Sequence, residues 1–324
     1  MTDKKIAFGE VLTALTDNSK IFPARYLQEF SHLSEKKLED LKKSWSSISD
    51  ERKIQLFQDL EDLAEADTLM DFDVLARFAI NDPLGEIRAL AIRLLWECES
   101  LDLVDIYLKK IHTDPDPDVQ ATAASALGTY IYRGELEELS EALLQKIVDE
   151  LLALHKTSPH LVVRRHALES LGYSSHEDIP KLIEKAFRSE DYRDTASALY
   201  AMGRSADNRW DKYILANLES SHTDVQLEAV RASGELDIKK ARAKLLELVD
   251  SGDLDEEVFY AAIWSLSQIG GEGVKAIFEE IMDSEIDDEL ADFMEKALDN
   301  LVFNDGLADF DLFDLDEPDV EAKN

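Results

Sequence analysis

One helical phrase recurs seven times along the chain, and such a recurrence restricts the fold more than any single motif could. The copies read DPLGEIRALAIRLLW (82–96), DPDPDVQATAASALG (114–128), SPHLVVRRHALESLG (158–172), SEDYRDTASALYAMG (189–203), SHTDVQLEAVRASG (221–234), LDEEVFYAAIWSLSQIG (254–270) and a degraded IDDELADFMEKALDNL (286–301). Each opens on an acidic or Pro-containing turn, reaches an anchor, and carries Ala and Leu at helical spacing. Anchors at Ile87, Val119, Val163, Asp194, Val225, Val258 and Leu290 give steps of 32, 44, 31, 31, 33 and 32 residues. A near-constant step of this size marks a solenoid of helix pairs, an all-α superhelix in which neighbouring units build a shared core.

The phrase has a chemical logic. Asp or Ser before the anchor can cap the first turn, small residues let helices approach, and Gly is expected to end the helix in a left-handed conformation. Ala123, Ala126 and Ala229 are expected to lie in a tight seam. Between phrases a second helix is expected, as in 101–112 and 238–249, with Leu, Ile and Val on one face. One pair cannot bury its own stripe, so the pairs must stack.

These units resemble HEAT repeats, especially the short bacterial form also found in phycobilisome lyases. The HEAT pattern Asp-x-x-Val-Arg-x-x-Ala is matched by Arg88 and Arg164, each directly after its anchor, whereas Gln120 and Gln226 depart from it. The resemblance spans about 82–301 and implies a HEAT-repeat solenoid. It implies little about function, because function resides in sites carried by a fold.

Three domains are expected: a helical N-terminal cap over 1–81, the repeat array over 82–302, and a disordered acidic, aromatic tail over 303–324. In the first, Pro23 is placed to start a helix, Ser34 and Ser49 to cap two more, and Ile54, Phe57, Leu60 and Leu63 form an apolar seam. The long 44-residue step predicts a lengthened second helix over 136–155, preceded by a connection at 130–134.

Charge is unevenly spread. The formal net charge is −35, and from Asp250 onward 24 acidic residues face only Lys275, Lys296 and Lys323. Such asymmetry points to an interaction end and disfavours phosphate-backbone binding, which needs Lys and Arg. No run approaches a membrane span, and one cysteine, Cys98, fits a reducing compartment, so a cytoplasmic, monomeric protein is expected.

No catalytic, cofactor or metal site is expected. The seven histidines form no His-x-x-x-His pair, and of the His-Glu dipeptides by which the HEAT-repeat enzyme deoxyhypusine hydroxylase holds iron only His176-Glu177 occurs. Gly270-Gly271-Glu272-Gly273 lacks a phosphate-loop sequel. The expected function is a non-catalytic protein-binding scaffold or adaptor. Its partner-binding residues are Trp210, Tyr213, Lys239, Lys240 and Lys244, taken to line an inner groove on the second helices, and Phe310, Leu312 and Phe313 of the tail. The alternatives are a lyase-like or chaperone protein that assists chromophore attachment or partner maturation, and an acidic mimic of nucleic acid.

Overall fold

In the computed structural model, residues 6–313 are described, with side chains through 304. The described residues are helical without a strand. The chain divides into two compact units, Met1–Leu171 and Gly172–Asn324. No described helix is long and apolar enough to cross a membrane.

The first unit holds α1 (Phe8–Thr16), α2 (Glu35–Trp45), α3 (Asp50–Ala66), α4 (Asp73–Ala79), α5 (Gly85–Arg93), α6 (Asp102–Thr113), α7 (Pro117–Glu135), α8 (Glu141–Thr157) and α9 (Leu161–Leu171). The second holds α10 (Ile179–Phe187), α11 (Tyr192–Arg204), α12 (Asp211–Leu215), α13 (Thr223–Glu235), α14 (Arg242–Ser251), α15 (Glu256–Ile269), α16 (Val274–Asp283) and α17 (Asp288–Phe313). The phrases are therefore α5, α7, α9, α11, α13, α15 and α17.

Two layers with different spacing result. In the first unit α3, α5, α7 and α9 pack one on the next, and in the second α11, α13, α15 and α17 do the same. The intervening helices lie against their own phrase helices, while α6 and α8, or α14 and α16, meet only marginally. Within each unit the phrase helices thus form the closely packed layer, and the second helices, expected to line an inner groove, form the looser one.

The tight spacing follows from small side chains. Four residues after each anchor stand Ala91, Ala123, Ala167, Ala198, Ala229, Ala262 and Met294, every one at 0% exposure. Ser170 Oγ donates to the Ala124 carbonyl and Ser265 Oγ to the Val230 carbonyl, both at 2.9 Å, contacts that require closely approaching backbones. Ala126, expected in this seam, is only half-buried and faces a groove instead.

Gly270 ends α15 at a positive φ of 61°, in line with the expected helix-ending role, but three other phrase glycines do something else. Gly128, Gly203 and Gly234 sit inside their helices and are buried. A Cβ on Gly203 would stand 3.0 Å from Ala232 Cα, and one on Gly234 2.7 Å from Ser265 Cα, so glycine here permits close approach. The left-handed turn falls three residues later, at Ala206 and Asp237.

Caps follow the expected chemistry at α2, α3, α7, α11 and α15, whereas Leu84 and His222 precede α5 and α13 without a side-chain cap. Ser34 Oγ and Ser49 Oγ accept the Lys37 and Arg52 amides, and Asp116, Asp191 and Asp255 accept amides at the starts of α7, α11 and α15. In four of the seven phrases the side chain after the anchor ties the turn down. Arg88 Nη1 donates to the Asp82 carbonyl at 2.9 Å, Arg164 to Ser158 at 3.0 Å, Gln120 to Asp114 at 2.7 Å and Gln226 to Leu218 at 3.0 Å. Gln therefore keeps the carbonyl contact, and Arg88 adds a buried ion pair to Asp114 through Nε at 2.9 Å. Burial works against the Asp114 carboxylate, but Arg88, the Asp116 amide and Lys110 hold it below the usual carboxylate range.

Other boundaries also move. The long step arises because α7 continues through Tyr130 and Ile131 to Glu135, so the expected connection is helix, and the following helix is Glu141–Thr157. Pro23 precedes a 3-10 helix, Ala24–Phe30. The last helix runs past the boundary at Phe303 to Phe313, a correction to the expected disordered tail as far as that residue. The N-terminal region joins the array through α3 on α5 and through Trp45 Nε1, which donates to the buried Asp82 at 2.6 Å.

Candidate functional site

Because the tight layer has no room for large side chains between its helices, those side chains project from its free face. Six and ten residues after the anchors stand Tyr200 and Arg204 on α11, Arg231 and Glu235 on α13, and Trp264 and Gln268 on α15. Arg204, Arg231, Glu235, Trp264 and Gln268 line a groove of about 570 Å³ in the second unit, which Phe293 of α17 closes at one end.

One half of this groove is an ion pair framed by rings. Arg204 Nη1 lies 2.8 Å from Glu235 Oε1, and its guanidinium sits 4.9 Å from the Tyr200 ring centre and 5.6 Å from that of Tyr173. Burial opposes the Arg204 charge, but Tyr200 and Glu235 outweigh it and hold the group above its ordinary value. Burial also pushes the Glu235 carboxyl up, with Arg204 and Arg231 offsetting part of the effect. Arg204 Nε is buried without a hydrogen-bond partner among the described residues.

The other half is aromatic. Phe293 lies edge-on to Tyr260 at 4.8 Å and tilted to Trp264 at 6.2 Å, and Trp264 remains 40% exposed. Burial, then the charges of Glu289, Asp287 and Glu256, raise the Tyr260 hydroxyl.

The first unit has its own groove of about 620 Å³ on the tight layer, between α3 and α9. Its rim pairs Arg93 with Glu61 at 2.7 Å and presents Trp96, which is 54% exposed. His166 Nδ1 lies 2.8 Å from Ser125 Oγ and 3.0 Å from Glu169 Oε2. A nucleophile-base-acid relay needs both ring nitrogens. Here one nitrogen serves both partners. Tyr130 donates to the Ser100 carbonyl at 2.9 Å, and burial pushes its hydroxyl up to about 12. Cys98 is half-buried, and burial raises its thiol with Arg77 Nη2 at 3.7 Å. Among the described residues no three His, Cys, Asp or Glu side chains converge where a metal could bind.

The expected partner-binding residues lie elsewhere. Trp210 is 1% exposed and fills the core beside Tyr213 at 5.7 Å, so it is corrected from a contact to a packing residue. Tyr213 is half-buried and edge-on to Phe187 at 5.1 Å. Lys239 donates to the Ile269 carbonyl at 2.7 Å, and Lys244 is held between Glu219 at 2.6 Å and Glu247 at 2.9 Å. Lys240 is exposed, directly after Lys239. None of the five lines the groove, because their segments belong to the spread layer. The side chains of Phe310, Leu312 and Phe313 lie outside the described residues.

Residues 72–154 and 211–298 match the family model described as HEAT repeats. Among solved structures, Escherichia coli YibA is similar over 86% of this chain and 94% of its own, with 14% identity and a TM-score of 0.42. Human deoxyhypusine hydroxylase in complex with glycerol is similar over 91% of this chain and 96% of its own, at 12% identity and TM-score 0.37. Importin beta is similar over 92% of this chain and 47% of its own, at 14% identity and TM-score 0.40. No curated protein matches the sequence. Likenesses this distant say nothing of activity.

Proposed function

This chain belongs to the HEAT-repeat family, and from that premise we propose that it is a non-catalytic protein-interaction scaffold that binds partners on its tight, phrase-helix layer. The observation that carries the proposal is the placement of large exposed aromatics, Trp96 and Trp264, on the two grooves of that layer. Aromatic and Arg side chains in partly enclosed grooves are the usual anchors of protein interfaces. Repeat stacks supply such surfaces because each unit adds one more helix face.

The test is site-specific photo-cross-linking in the native host. A photoreactive residue at Trp264 or Trp96 should give discrete protein adducts that are absent when the same residue replaces Lys240 on the spread layer. Identical adducts from all three positions would overturn the proposal.

A further inference from the structure

The second-unit groove is asymmetric in charge as well as in shape. Its Arg204 and Arg231 are already matched, Arg204 by Glu235 and Arg231 by Glu228 at 2.9 Å. Among the described residues that line the groove there is no further Lys or Arg. At its aromatic end Tyr260 faces the charges of Glu289, Asp287 and Glu256, and Glu257 lines the wall. From Asp250 to Asn304, 16 acidic residues face only Lys275 and Lys296.

Rings that stay partly exposed within a negative field, as Trp264 does at 40%, attract cations twice over, through the ring quadrupole and through the carboxylates. A second copy of this chain, at net −35, is repelled by the same field, as is the chain's own acidic C-terminal segment. We propose that the α15–α17 end of this groove docks a lysine- or arginine-rich segment of a partner protein, with one cationic side chain against Trp264, Tyr260 and Phe293 and its neighbours paired with Glu257 and Glu289. This rests on the scaffold function and specifies the chemistry of the partner.

The experiment titrates the full chain with a short fluorescent peptide of alternating lysine, arginine and serine, and with the same peptide carrying glutamine in place of every cation. The basic peptide should bind and the glutamine peptide should not, with affinity falling as salt rises. Trp264→Ala should weaken binding about tenfold. Glu257→Lys with Glu289→Lys should weaken it by a similar factor of about ten. Glu279→Lys with Glu280→Lys makes the same change in net charge on α16, outside the groove, and should leave affinity nearly unchanged. All four positions are exposed, and circular dichroism of each variant checks that the helices persist.

Equal losses from the two charge-reversal pairs, or full affinity in Trp264→Ala, would overturn the docking proposal by reducing the attraction to the field of the whole protein. A partner cross-linked at Trp264 through a neutral or acidic segment would also overturn it while leaving the scaffold function standing. Absence of groove-specific adducts would instead count against the scaffold function, and the titration still decides the docking site.

Discussion

Two tryptophans in the second unit reverse the roles that their sequence surroundings suggest. Trp210, next to Arg209 and Asp211 in a polar stretch, is 1% exposed, whereas Trp264, inside the apolar run YAAIWSL, is 40% exposed. The difference lies in the layers. Spread helices leave a wedge that needs a large side chain to fill it, and tight helices held at Ala198, Ala229 and Ala262 leave no gap, so a large ring there must lie on the free face of the layer. Depth in this protein is thus set by which layer a residue belongs to.

The strongest way to break this comparison is to truncate both rings. Trp210→Ala should cost about 3–5 kcal/mol, the range for a large buried aromatic, and Trp264→Ala about 1 kcal/mol or less. Denaturant unfolding of the two variants measures both. Similar losses would show that the two layers do not differ in packing.

A smaller effect is expected at the first phrase, where Arg88 serves both a carbonyl and a carboxylate. Arg88→Ala leaves Asp114 buried with only Lys110 and a backbone amide, and should cost about 3 kcal/mol. Arg88→Gln should cost clearly less, since Gln120 holds the equivalent carbonyl in its own turn. The acid response should separate them from the wild type. The Asp114 carboxylate sits below its unfolded value, so its contribution is present above the unfolded value and is lost as pH falls through the folded one. Melting temperature recorded downward through the carboxylate range should therefore fall more steeply in the wild type than in either variant.

The smallest effect separates two helical glycines. Gly234→Ala places a Cβ against the Ser265 backbone and should destabilise by about 1–3 kcal/mol despite the better helix propensity of Ala. Gly9→Ala in α1 meets nothing within 4 Å and should stabilise by about 0.5–1 kcal/mol. If both substitutions stabilise, the approach of α13 to α15 is looser than drawn above.

Much of the fold was legible because it is local and repeated. The anchors, the Asp and Ser caps and the alanine four residues after an anchor are short-range patterns: the alanine recurs in six of the seven phrase helices and gives way to Met294 in α17, and Asp caps stand at α7, α11 and α15. The groove was legible only in part. The residues six and ten after the anchors stand in the sequence in plain register, yet which helix layer carries the groove depends on packing between units and not on the lysines of the second helices. Glycine misled for a related reason: a Gly late in a helix pattern suits both a left-handed end and a close crossing, and only the neighbouring helix distinguishes them.

The sequence by itself determined that this chain is a stack of helix pairs, where most of them begin, and that its negative charge gathers toward the C-terminus, because capping, periodicity and charge are properties of residues near one another in the chain. Tertiary structure alone decided which helices form the tight layer, and so that Trp264, Tyr260 and Phe293 border a groove while Trp210 is sealed in the core. The spacing of two layers depends on side-chain volumes summed over helices some thirty residues apart, and no single phrase contains that sum.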